Sequence, residues 1–102
     1  MHETLVVKDS VLAEHPWVAK SIFNAFAKAK DEWLARLDAG KPENASDKKY
    51  AELRKIVGHD PIPYGMDANL ATIKALEDTA FKQALTPRRM SLDELFVDPA
   101  KM

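Results

Sequence analysis

From Trp17 to about Ala39 the apolar residues Val18, Ile22, Phe26, Ala29, Trp33 and Leu37 recur every three or four positions, while Lys20, Asn24, Lys28, Asp31 and Asp38 take the opposite row. That period predicts one long amphipathic helix, with His15-Pro16 starting it and Gly40 stopping it. Before it, Thr4 to Lys8 (TLVVK) is a short β-branched run closed by the turn-prone pair Asp9-Ser10, so it reads as the one strand, with no partner strand elsewhere in the sequence. Asp9 or Ser10 can cap a short helical turn through Glu14. After Gly40, residues 41–46 are polar and rich in turn formers and read as a loop. Ser46 is placed to cap a third helix from about Asp47 to Val57, in which Tyr50, Leu53 and Val57 share a face and Gly58 ends the run.

Two prolines and a glycine within His59–Met66 forbid regular structure there and fix much of the backbone. Asp67 or Asn69 then begins a fourth helix to about Leu85, with Leu70, Ile73, Leu76 or Glu77, Ala80, Phe81 and Ala84 lining one side and Thr86-Pro87 ending it. Ser91-Leu-Asp-Glu94 has the spacing of a capping box for a short turn through Phe96, and residues 97–102 read as a flexible tail. The fold class this implies is mainly α: about four helices with one short N-terminal strand. At 102 residues the chain is expected to form a single small domain, since two cores would each bury too little apolar surface.

Composition narrows the function classes. A net charge of -1 gives no strong field toward polyanions, so neither nucleic acid nor an acidic membrane surface is an expected partner. Without cysteine there are no disulfides, thiolate metal sites or cysteine nucleophiles. No run of apolar residues approaches the roughly 18 of a membrane span, and the start lacks a basic region followed by a long apolar stretch, so a cytoplasmic chain is the expectation.

Candidate chemistry is sparse. His2, His15 and His59 each neighbour a carboxylate in sequence, but adjacent residues rarely point at one ion and no metal-binding spacing occurs, so no metal site or cofactor is expected. His15, before Pro16, is placed to present its ring to the free amides of the long helix, and His59 sits where a helix end favours the protonated ring. None of the four serines stands in a strained elbow, and the three glycines are too far apart to cradle a phosphate. Arg88-Arg89 is the most concentrated positive spot and could grip a carboxylate with its planar forks, although a solvated pair accounts for it as well. Tyr64, between a proline and a glycine, serves either as a packed anchor for its loop or as a hydroxyl donor to a ligand.

Four segments taken together resemble the C-terminal part of the 4,5-dihydroxyphthalate decarboxylase family. They are Met1–Val7 (MHETLVV), His15–Phe26 (HPWVAKSIFNAF), Asp60–Asn69 (DPIPYGMDAN) and Leu85–Phe96 (LTPRRMSLDELF). The resemblance implies a fold of the type II periplasmic-binding-protein kind and a non-oxidative decarboxylation. In that reaction each ring carboxylate is para to a hydroxyl, whose electron donation helps protonate the carbon that loses carbon dioxide. It also implies His2 as the residue closest to the cleft, able to deliver or orient a proton. The loop around Tyr64 and the turn at Arg88 and Arg89 would then support the lobe or bind an acidic ligand.

Members of that family are much longer than this chain, so the expectation is a chain inactive alone that takes an aromatic acid only when the rest of both lobes is supplied. Two alternatives are an anion-binding module of the same fold and a helical dimer without catalysis. The unpaired TLVVK edge favours self-association, and a homodimer through residues 3–8 and the Trp17–Ala39 helix is the expected partner arrangement.

Overall fold

A computed structural model describes residues 3–102. Among them the chain is mainly helical and holds five α-helices: α1 (Asp9–Glu14), α2 (Trp17–Asp38), α3 (Ala45–Val57), α4 (Met66–Lys82) and α5 (Leu92–Leu95), followed by a 3-10 turn at Pro99–Lys101. They fall into two compact units. One joins the described N-terminal stretch up to Lys20 with Tyr64–Met102; the other is Ser21–Pro63.

The Ser21–Pro63 unit is built on α2 and α3. α2 buries Leu34 and Leu37, one turn apart on the face that the apolar period marks. It ends where a side chain becomes unfavourable: Gly40 takes φ 70°, and the Lys41 N–H reaches back to the Arg36 carbonyl at 3.0 Å, closing the last turn. α3 begins two residues earlier than the sequence suggests, because Asn44 and not Ser46 is its N-cap; the Asn44 side-chain oxygen accepts the Asp47 N–H at 2.8 Å. Gly58 ends α3, with φ 107° and its N–H on the Arg54 carbonyl at 3.0 Å.

In the other unit α4 carries the buried Ile73, which is 3% exposed. Gly65 caps its start at φ 97° and the Asn69 amide donates to the Gly65 carbonyl at 2.9 Å. The far end stops at Lys82 and not near Leu85, since Ala84 adopts φ 58° and the Leu85 N–H closes onto the Ala80 carbonyl at 2.9 Å. The capping box at the start of α5 forms as its spacing predicts, with Ser91 and Glu94 each accepting from the other's backbone N–H. The C-terminal residues enter a 3-10 turn that Asp98 caps, and Lys20 donates to the Met102 carbonyl at 3.0 Å.

Three further expectations are corrected. Residues 3–8 form no strand: a β-run needs a hydrogen-bonded neighbour, and among the described residues there is no second strand to supply one. α1 has Lys8 as its N-cap without a side-chain bond, so Asp9 lies inside the first turn and complements the helix dipole there. The His15 ring does not cap α2; it lies edge-on to Trp17 with centroids 5.9 Å apart, and the His15 carbonyl accepts the Val18 N–H at 3.0 Å.

Two side chains test this description. Truncating the buried Ile73 to alanine is expected to cost about 2–5 kcal/mol in urea denaturation, whereas the same change at the exposed Ile56 is expected to stay within about 0.5 kcal/mol. Ala84→Gly removes the left-handed penalty of a Cβ and is expected to stabilise the chain by about 0.5–1 kcal/mol, read in the same titration.

Candidate functional site

The residues singled out by sequence fall in different places. His2 lies outside the described residues. Arg88 and Arg89 lie in the turn between α4 and α5 and diverge. Arg88 reaches forward to Glu94, with Nη2 2.8 Å from Oε1, while Arg89 reaches back to α4, 2.6 Å from Asp78 Oδ1 and 3.2 Å from Glu77 Oε2. The Arg89 guanidinium also sits over the Phe81 ring at 4.4 Å from its centroid. Both forks are therefore spent on carboxylates of their own unit, which tie the turn to the two helices it connects. Tyr64, on the entry to α4, is 36% exposed.

The charges around this turn perturb one another. Glu94 is held down from 4.5 to about 2, first by the hydrogen bond from Arg88 and then by the Ser91 backbone N–H. Asp78 is lowered by Lys82 first and Arg89 second, and the two arginines are held above their ordinary value by Glu94 and Asp78 respectively. These shifts follow from charged hydrogen bonds at the surface. The cluster is a clamp whose acids and bases have partners within the unit, an arrangement that positions the turn.

A second polar group, of which the sequence singles out His59 alone, belongs to the Ser21–Pro63 unit. Asp38 at the end of α2 accepts from Arg54 Nη2 and lies 2.9 and 3.0 Å from His59 Nε2, while Arg54 Nε donates to the His59 carbonyl at 2.7 Å. Arg54 and then His59 lower the Asp38 carboxyl below its usual value. These residues flank an open, shallow hollow lined by Leu37, Pro42, Ala51, Glu52, Arg54 and His59. Lys30 holds the following loop from beneath: its ammonium donates to Asp60 Oδ2 at 2.7 Å and to the Ile62 carbonyl at 3.1 Å, and the Ile62 N–H donates to Asp60 Oδ1 at 3.0 Å. Two ionic anchors thus fix the start of the proline-rich loop. Lys30 sits within the apolar period of α2, between Phe26 and Trp33, and a lysine in such a stripe is the signal that it has a carboxylate partner across the loop.

The third polar group is Asp47, 7% exposed. Its carboxylate accepts the Trp33 indole N–H at 2.9 Å and the Glu43 N–H at 3.0 Å. The Glu43 bond first and the Trp33 bond second lower its carboxyl below the usual range. Among the described residues no three His, Asp or Glu side chains converge to hold a metal ion, and no helix is long and apolar enough to cross a membrane.

Compared with protein-family models, with curated proteins and with solved structures, the chain gives no match in any of the three.

The Glu94 cluster gives a pH test. A carboxyl whose folded value lies below its unfolded one adds stability only while ionised, so its contribution is complete above about pH 4.5 and is lost as the pH falls toward about 2. Carboxyl-carbon NMR is expected to show Glu94 titrating near 2, and Arg88→Ala is expected to return it toward the ordinary carboxylate range.

Proposed function

We propose that this chain serves as the C-terminal part of a decarboxylase acting on dihydroxylated aromatic dicarboxylates of the 4,5-dihydroxyphthalate type, with a fold of the type II periplasmic-binding-protein kind, and that it turns over nothing by itself. One observation carries the reading. The residues on which the resemblance rests in its third and fourth segments serve as joints: Gly65 and Asn69 set the entry to α4, while Arg88, Ser91 and Glu94 lock the turn into α5. Such residues support a lobe, and a supporting part is what the resemblance implies for this stretch.

The chemistry assigned to the whole enzyme is simple in its balance. A proton adds to the ring carbon bearing a carboxylate, the bond to that carboxylate breaks, and carbon dioxide leaves with the ring electrons restored. His2 is the residue of this chain that we assign to delivering or orienting the proton. Arg88 and Arg89, bound to Glu94 and Asp78, are given a positioning role.

The test uses a chimera. The chain alone, incubated with 4,5-dihydroxyphthalate, is expected to form no 3,4-dihydroxybenzoate above the buffer blank. The same residues replacing the corresponding segment of a dihydroxyphthalate decarboxylase are expected to retain turnover, and His2→Ala within that chimera is expected to lower it at least tenfold, the smaller end of what a positioned proton donor contributes being about a hundredfold. A chimera that folds and binds substrate without turnover contradicts the proposal, and unchanged turnover in His2→Ala removes that residue from it.

A further inference from the structure

We infer that residues 4–8 pair with the same residues of a second copy of this chain, as a two-fold antiparallel ribbon centred on Val6. The inference stands apart from the decarboxylase reading and rests on the state of this segment. Its residues belong to no helix or strand, Lys8 at its end is extended, and among the described residues the backbone groups of Thr4–Val7 have no backbone hydrogen-bond partner. Its side chains face water: Val6 is 87% exposed and Leu5 59% exposed, and Trp17, in the same unit at the start of α2, is 64% exposed. Unpaired backbone donors and acceptors beside apolar side chains are what a neighbouring strand satisfies.

Symmetry points to a second copy as that neighbour. In an antiparallel pair the two-fold axis stands perpendicular to the ribbon, so it must pass through a residue paired with itself. Centred on Leu5, the ribbon sets Glu3 against Val7, a charge against an apolar side chain. Centred on Val7, it sets Val6 against Lys8 and needs Asp9, which belongs to α1. Centred on Val6, it matches Leu5 with Val7 and Thr4 with Lys8, and places the two Val6 side chains together on the axis. Only this register pairs apolar with apolar along its middle, and it ends where α1 begins.

A bare two-stranded ribbon is only marginally stable, so the exposed Leu5, Val6 and Trp17 must contribute apolar area beyond the backbone pairing.

Val6 is exposed in the single chain, so replacing it leaves the monomer fold intact and isolates the pairing. Light scattering at about 100 µM, where an association of micromolar strength is well populated, is expected to give twice the 11.4 kDa chain mass. Val6→Lys brings two like charges together on the axis and is expected to weaken the dimer at least tenfold, while Val6→Thr, which keeps a β-branched side chain, is expected to preserve it. In a sample mixing labelled and unlabelled chains, intermolecular NMR contacts are expected between Val6 and Val6. A wild-type chain that stays monomeric, or a Val6→Lys chain as dimeric as wild type with unchanged circular dichroism, overturns the inference.

Discussion

The buried carboxylate of Asp47 is the constraint on which the Ser21–Pro63 unit depends. It is ionised in a place where only 7% of the residue meets solvent, and such a charge is tolerated only when its oxygens are occupied. One oxygen takes the indole N–H of Trp33 from α2, and the other takes the backbone N–H of Glu43 on the approach to α3. The same residue gives its own N–H to the Asn44 cap. A single side chain thereby sets where α3 starts and which turn of α2 it faces. Trp33 then meets Tyr50 edge to face, with centroids 5.4 Å apart, carrying the contact one turn further along α3.

With Asp47 in place, the unit needs few apolar residues: Leu34 and Leu37 are its buried ones. Ionic anchors do the remaining positioning, Lys30 on Asp60 and Arg54 with His59 on Asp38, both directed at the loop that leaves α3. The other unit follows the same economy, with Ile73 buried and the α4–α5 turn held by Arg88 and Arg89. Where apolar burial is this small, caps and charged hydrogen bonds decide the geometry.

Much of this fold was legible in the sequence, and the failures have physical causes. The limits of α2 were readable because its period is unbroken and Gly40 ends it, and the Ser91–Glu94 box was readable because both partners lie within one turn. The end of α4 was not, because the left-handed position that usually advertises itself as glycine is filled by Ala84. The start of α3 was misplaced because Asn44 and Ser46 are both good caps, and the choice between them was made by Asp47 finding Trp33 fourteen residues away. The strand was misread because β-propensity expresses itself only against a neighbour. Of the candidate site residues, Arg88 and Arg89 were visible as a positive spot, but the spacing of Glu77, Asp78 and Glu94 that consumes them became meaningful only once the turn was folded. Asp38, Arg54 and His59 come from the end of α2, from α3 and from the loop after it, and no local pattern announces their meeting.

The central claim, that the Asp47 carboxylate holds α2 and α3 in register, is open to one direct measurement: the indole N–H resonance of Trp33 followed by NMR as the pH is lowered. Because the folded carboxyl lies below its ordinary value of 3.8, the bond contributes fully above that pH and is lost as the pH falls through the depressed value. The expected result is an indole signal that moves only below pH 3.8, together with the α3 amides, and that is already displaced in Asp47→Ala at neutral pH. An indole resonance that is the same in Asp47→Ala as in the native chain would contradict the claim.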